Sequence, residues 1–343
     1  MKKICIVGHF AYGKELINGQ TIKTKTIADE LERQFGNKEV IKIDTHGGLT
    51  NLLKYVFQLI SAFMHCNNIL ILPAHNGIKL FVPLCAGLNL LFHRNIIYVV
   101  IGGWLPDFVR KHLIIKKNLA AFNGIFVETN FMKERLELSG LTNVKVMPNF
   151  KSITIISKED IEFEEEPFKV CTFSRVMKEK GIEYAVNAVK DINNQYGREV
   201  FQLDIYGQIE SEQIEWFDVL SNTFPSYINY KGVVPFNKST EVLKKYHALL
   251  FPTYYEGEGF AGTLLDALAS GLPAIATDWK YNKEIVQDNK TGILIECKNL
   301  NSLKEALISS MGENWKDIRF NCLCEAKKYI PHEAIRVLID ELR

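Results

Sequence analysis

The chain has no CxxC pair: its seven cysteines, Cys5, Cys66, Cys85, Cys171, Cys297, Cys322 and Cys324, are scattered and odd in number. That argues against a disulfide framework or a zinc ribbon and fits the reduced thiols of a cytoplasmic protein. His, Cys, Asp and Glu nowhere gather at metal-ligand spacing, so no metal or other cofactor is expected. The loop from Gly8 to Gly19 does not read GxGxxG and has no clear acidic partner further on, which disfavours a dinucleotide-dependent oxidoreductase. Residues 55–78 contain no Lys, Arg, Asp or Glu. Asn67, Asn68 and Pro73 interrupt that stretch, so it reads as a buried helix followed by a buried strand, and a membrane span of about 20 apolar residues is rejected. Met1-Lys2-Lys3 is too short a lead into Ile4–Val7 for a secretory signal.

What is present is the composition of a soluble enzyme. With 343 residues, 47% hydrophobic and 24% charged, the chain can bury two cores. The net charge of +1 hides an asymmetry, because residues 1–150 carry 18 Lys and Arg against 10 Asp and Glu. A basic first half would attract anionic lipid or a phosphate-bearing acceptor, or it reflects uneven surface charge between two domains. No nucleic-acid partner is expected. Peripheral attachment to the inner face of the plasma membrane has two candidate segments: the apolar run Phe81 to Phe92, and Arg110-Lys111-His112 with Lys116-Lys117. The alternative for both is an ordinary amphipathic helix over a core.

Apolar runs alternate with helix-length periodic stretches. Strands are expected at Ile4–Val7, Val40–Ile43, Ile69–Leu72, Ile96–Ile101, Ile125–Val127 and Val144–Met147, and again at Val170–Phe173, Phe201–Tyr206, Tyr227–Tyr230, Ala248–Phe251, Ala274–Ala276 and Ile293–Ile295. Two such series imply an α/β protein of two Rossmann-like, doubly wound domains facing across a cleft. The boundaries are 1–150 for the first domain, 151–167 for a solvated linker marked by Lys158-Glu159-Asp160 and Glu164-Glu165-Glu166, and 168–325 for the second. Residues 326–343 would hold a last helix, about Glu333 to Leu342.

The most informative run is 251–277, FPTYYEGEGFAGTLLDALASGLPAIAT. Gly257, Gly259 and Gly262 permit close backbone approach, and a helix opens near Thr263. Its free N–H groups at Ala261, Gly262 and Thr263 favour phosphate oxygens, and Asp266 lies one turn in. A second anion-binding cluster follows the strand Val170–Phe173, where Ser174-Arg175-Val176-Met177-Lys178-Glu179-Lys180-Gly181 precedes a helix starting near Ile182. Cations at a strand's carboxyl end suit a diphosphate.

Together these runs resemble the donor motifs of the retaining family 4 glycosyltransferases. Glu258-Gly259-Phe260-Ala261, Asp266-Ala267 and Gly271-Leu272-Pro273-Ala274-Ile275-Ala276-Thr277 match one element, and Arg175 with Lys180-Gly181 matches the family's Gly-Arg-x-x-x-x-Lys-Gly. Three residues depart from the pattern: Asp266 stands for Glu, and Ala261 and Ser174 for Gly. The resemblance implies the GT-B fold, with the last helix of residues 326–343 packing back across the domains, and metal-independent sugar transfer from a nucleotide-sugar, a UDP-sugar above all, to a glycan or lipid-linked acceptor of a bacterial surface polysaccharide. Glu258 would hold sugar hydroxyls near the anomeric carbon, Arg175 and Lys180 would stabilise the diphosphate, and Asp266 would bind ribose. Gly207 and Val234 fall where the family approaches the nucleotide, although a lone glycine also makes a plain turn. Asn18 and Gly19 are similar to the glycine loop that approaches donor phosphates, or form a simple βα turn.

Many family members carry a histidine after the fourth strand, but Val99 to Pro106 has none. Gly102 and Gly103 would let a sugar approach the backbone there, and Trp104 either stacks on a pyranose or sits in the core. His75 is either a sugar contact or a satisfied structural histidine. Other readings are a noncatalytic GT-B partner subunit and a nucleotide-sugar epimerase or phosphorylase.

Overall fold

The computed structural model describes residues 3–13, 19–46, 52–161 and 165–342. They divide into two compact units, one of Met1–Ser152 with Ile330–Arg343 and the other of Ile153–Tyr329. All twelve expected strands form, with ends shifted by no more than two residues. In the first unit they are β1 (Ile4–Gly8), β2 (Val40–Asp44), β3 (Asn68–Ile71), β4 (Asn95–Val99), β5 (Gly124–Val127) and β6 (Val144–Val146). Between them run α1 (Gly19–Phe35), α2 (Leu52–His65), α3 (Ile78–Phe92), α4 (Leu105–Lys111), α5 (Leu113–Ala120) and α6 (Asn130–Leu138). The sheet order is β2-β1-β3-β4-β5-β6, with every pairing parallel. β1, β3, β4 and β5 are buried at every residue. Helices on both faces require this, and it is why these strands read as unbroken apolar runs. The edge strand β2 buries Val40 and Ile43 and exposes Ile41.

The second unit contains β7 (Phe168–Phe173), α7 (Ile182–Tyr196), β8 (Phe201–Tyr206), α8 (Ile214–Ser221), β9 (Ile228–Gly232), α9 (Ser239–Leu243), β10 (Ala248–Phe251), α10 (Gly262–Ala269), β11 (Ala274–Thr277), α11 (Asn282–Ile285), β12 (Gly292–Ile295), α12 (Leu300–Ser309) and α13 (Trp315–Ala326). Its parallel order β12-β11-β10-β7-β8-β9 reverses direction between β7 and β10, and the first sheet reverses between β1 and β3. Open α/β sheets bind ligands at the carboxyl ends of strands flanking such a reversal.

Three expectations need correction. The stretch 151–167 is not a solvated linker along its length: Ile153 and Ile155 pack on the second core, Ile161 is buried, and the Ile156 N–H donates to Ala269 O at 3.0 Å. Among its described residues Lys158–Asp160 in one turn and Glu165 with Glu166 are exposed, and those charges mask the isoleucines around them. The last helix is two short ones, α14 (Pro331–Ala334) and α15 (Arg336–Ile339), in the first unit. Ile335, Leu338 and Leu342 complete that unit's core, and Asn95 Nδ2 donates to both Asn68 Oδ1 and Glu341 O at 2.8 Å. Finally, α2 is half buried rather than buried: Tyr55, Leu59, Ala62 and Phe63 face inward, whereas Leu53, Phe57 and Met64 are exposed. Among the described residues no helix is long and apolar enough to cross a membrane.

Candidate functional site

At the reversal in the second sheet, the loops after β7 and β10 are pressed together by a glycine. Gly181 has φ +72°, and a Cβ there would lie 2.2 Å from Pro252 O, so only glycine admits this approach. The Tyr254 N–H donates to Glu179 O at 2.8 Å across the junction. Lys180 Nζ thereby comes 2.6 Å from Glu258 Oε2, with the two side chains 9% and 8% exposed. The Thr253 hydroxyl lies 2.8 Å from the same Oε2 and 3.3 Å from Glu179 O. The Lys180 ammonium also sits over the rings of Phe251 and Tyr255, at 5.4 and 5.3 Å. This is a low-dielectric setting in which a cation acts strongly on developing negative charge.

Arg175 is half exposed beside this pair. Its Nη1 is 2.7 Å from Glu210 Oε2 and its guanidinium lies 5.5 Å over the Tyr255 ring. Gln213 Nε2 donates to the Glu179 carboxylate at 2.9 Å; this bond leads the causes that hold Glu179 below its ordinary pKa and stabilises the turn carrying Lys180.

A recess of about 160 Å³ opens at the carboxyl ends of β7 and β8, lined by Phe173, Ser174, Tyr206, Gly207, Val233, Val234 and Thr263. Gly207 has φ +133°, and a Cβ there would fall 1.7 Å from Ser174 O. The Thr263 hydroxyl donates to Phe173 O at 2.8 Å and pins the start of α10 to the end of β7. No side chain caps this helix at Ala261; the Leu264 N–H turns back to Ala261 O at 3.0 Å, and the amides before it are of the kind a helix start offers to an anion. Gly207, Val234 and Thr263 are thus brought together. Asp266 is only 4% exposed and is not among the residues lining the recess.

The first unit has a cavity of about 410 Å³ at its own reversal, lined by residues after β1 (His9), β2 (Thr45, His46) and β3 (Pro73 to Gly77), with Gln20, Tyr55, Leu80 and Phe81. His9 Nε2 lies 3.1 Å from His46 Nδ1, and His9 Nδ1 lies 2.8 Å from Thr21 Oγ1. Burial and the neighbouring His46 lower the His9 pKa despite the opposing effect of Asp44. Burial acts to raise the Asp44 carboxyl, but N–H bonds from His46, Tyr12, Phe10 and Ala11 outweigh it and hold it below the ordinary value. The amides of Phe10, Ala11 and Tyr12 after β1 are therefore occupied by a side chain of the protein itself. Of the two residues expected to approach donor phosphates, Gly19 is the first residue of α1 and Asn18 lies outside the described residues.

His75 is on the cavity wall, edge-on to Trp104 and Phe108 at centroid distances of 5.1 and 4.9 Å. Trp104 donates from Nε1 to Ile101 O at 2.9 Å, next to partly buried Gly103. Among the described residues no group of three or more His, Cys, Asp or Glu converges to hold a metal. Sequence reasoning missed Thr253, Tyr255, Glu210 and the His9–His46 couple. The first two lie inside the run already singled out. The others become partners only once strand order is known.

Residues 154–321 match the family model for glycosyl transferases group 1. The GtfA subunit of UDP-N-acetylglucosamine–peptide N-acetylglucosaminyltransferase from Streptococcus pneumoniae serotype 4 is 28% identical over 162 residues, 46% of this chain and 31% of that protein. The chain spans about a third of the length of the first such relatives it matches. Among solved structures, Anabaena Alr3699/HepE in complex with UDP superposes with a TM-score of 0.72 at 13% identity, covering 99% of both chains. Sucrose-phosphate synthase from Thermosynechococcus elongatus gives 0.70 at 15% identity, covering 100% of this chain and 98% of that one. These likenesses show the fold, which is GT-B.

Proposed function

We propose that this chain, whose residues 154–321 match the glycosyl transferases group 1 model, moves a sugar from a UDP-sugar to a carbohydrate or lipid-linked acceptor, with retention of anomeric configuration. The observation that carries the reading is the 2.6 Å pairing of Lys180 with Glu258 at the β7–β10 reversal. Breaking the bond between the sugar and the diphosphate leaves negative charge on the departing phosphate. Lys180 and Arg175 are the cations that meet it, and the first-turn amides of α10 hold the phosphate oxygens. Glu258 accepts hydrogen bonds from the sugar hydroxyls. The recess beside Tyr206 and Val234 takes the nucleoside, with Asp266 turned toward the ribose when nucleotide is bound. The Anabaena structure contains UDP and the pneumococcal relative is named for UDP-N-acetylglucosamine, which supports UDP as the first nucleotide to test. The cavity holding His9, His46 and His75 is the acceptor site on this reading, and surface-polysaccharide synthesis is the process it would serve. The cations make a bound metal unnecessary at the diphosphate.

The test is a thermal-shift screen of nucleotide sugars on the purified chain, followed by turnover with the stabilising donor and NMR of the product's anomeric centre. Stabilisation by a UDP-sugar and a product of the donor's configuration are expected. Arg175→Ala should lower kcat by roughly 100-fold, about 3 kcal/mol of transition-state stabilisation. If no nucleotide sugar raises the melting temperature, or the product is inverted, the proposal fails.

A further inference from the structure

The outer face of the first unit carries apolar surface that the donor site does not use. A helix laid over a core places its polar residues outward, yet α2 is apolar on both sides. Opposite its buried Tyr55, Leu59 and Phe63 stand Leu53, Phe57 and Met64, which are 76%, 71% and 51% exposed. Their spacing of four and seven residues makes one stripe along the helix. Neighbouring helices extend it. The crossovers from β2 to β3, β3 to β4 and β4 to β5 all run the same way across the sheet, so right-handed connection puts α2, α3, α4 and α5 on one face. Indeed α2 packs on α3, and α3 on α5. Leu90 and Leu91 at the end of α3, and Leu113 and Ile114 at the start of α5, are all at least 70% exposed.

The charge on this layer is one-sided. Between residues 45 and 127 there are seven Lys and Arg and a single carboxylate, Asp107. Arg110, Lys111 and Lys117 are exposed beside Leu113 and Ile114. A second copy of the chain docked face to face would set these cations against their own equivalents. An uncharged partner would leave them unmatched. An anionic lipid surface answers both features, since apolar side chains enter the interface while Lys and Arg meet lipid phosphates.

We infer that the α2–α3–α5 face is a docking surface for an anionic membrane. None of its residues belongs to either candidate ligand site, so the inference stands or falls apart from the sugar-transfer reading. Of the segments singled out in the sequence, Phe81 to Phe92 contributes only its end, because Phe81, Val82 and Cys85 are core. The main stripe lies on α2.

The experiment is sedimentation of the full chain with sucrose-loaded vesicles of phosphatidylcholine alone or mixed with an equal amount of phosphatidylglycerol. Partitioning onto the anionic vesicles should exceed that onto neutral ones by roughly tenfold or more and fall as salt rises. The double variant Leu53→Ser/Phe57→Ser should lose at least about tenfold of this binding, with its melting temperature unchanged because both side chains are exposed. Lys111→Gln/Lys117→Gln should abolish the preference for anionic over neutral vesicles. Equal binding to both vesicle types, unaltered binding of the Leu53/Phe57 variant, or a dimer in sedimentation velocity that this variant dissociates without any vesicle binding would each overturn the inference.

Discussion

Removing the Lys180 ammonium without its stem, as in Lys180→Met, separates the site's structural cost from its chemistry. Exposed ion pairs contribute about 0–1 kcal/mol. The Lys180–Glu258 pair is 9% and 8% exposed at 2.6 Å, so truncating one partner strands a carboxylate whose other bond in this loop is to the Thr253 hydroxyl. Loss of one partner from a buried pair costs about 3–5 kcal/mol. In a unit running from Ile153 to Tyr329, about 3 kcal/mol lowers the melting temperature by roughly 6–12 °C. Glu258→Gln should cost less, about 2 kcal/mol, because its amide oxygen still accepts from Lys180. The double variant Lys180→Met/Glu258→Gln should be more stable than the sum of the singles by at least about 2 kcal/mol, while transfer activity stays lost in all three. Urea unfolding followed by tryptophan fluorescence is the assay: three of the four tryptophans, Trp216, Trp279 and Trp315, are in this unit, and Trp279 Nε1 donates to Tyr255 O in the same loop. Single-variant costs below about 1 kcal/mol that simply add would mean the pair is solvent-screened, and the argument for a low-dielectric site would collapse.

Gly207→Ala would drive a methyl to 1.7 Å from Ser174 O. It should abolish UDP binding in calorimetry and lower the second unit's stability, and retained UDP affinity would show that the β8 loop does not shape the recess. Asp266→Asn should weaken UDP binding several-fold, and equal affinity by calorimetry would remove its ribose role. Burial, with Arg319 nearby, lowers the His247 pKa from 6.5 to about 4. The unfolded chain then binds the extra proton first, so stability present above about pH 6.5 is lost as pH falls toward about 4, roughly 3 kcal/mol in all. Melting temperatures across that range should show this slope flattened in His247→Gln, and an unchanged slope would place the titration elsewhere.

The strands were legible because parallel strands covered on both faces must be apolar throughout, and Ile4–Gly8 and Ala248–Phe251 are buried at every residue. The elements of the candidate site were legible for another reason: Lys180 and Glu258, 78 residues apart, each follow a strand, and a doubly wound sheet gathers strand ends. Contacts that depend on strand order were not legible. His9 meets His46 only because β1 pairs with β2 in parallel register, and Arg175 meets Glu210 because β7 pairs with β8. Exposure was misread where hydrophobicity stood in for burial. An uncharged run says nothing about which side of α2 faces solvent, and Leu53 and Phe57 are as apolar as Leu59 and Phe63.

The departures from the family pattern are best judged by what the backbone demands at each position. At Ala261 φ is −72° and ψ is 109°, a conformation open to any residue, and its methyl group joins the core cluster with Phe260 and Leu264. Alanine therefore replaces glycine without strain, and the α10 amides keep their direction. At Gly181 and Gly207 the opposite holds, since a positive φ is combined with a neighbouring backbone oxygen within 2.2 and 1.7 Å of any Cβ. Ser174, standing where the family has glycine, supplies the carbonyl that makes Gly207 obligatory. Glycine is thus absent at Ala261, where the backbone does not require it, and present at Gly181 and Gly207, where it brings the β7, β8 and β10 loops into contact. A partner subunit that had shed its chemistry would have no need of loops held this close, so these glycines favour the proposed donor site over that reading.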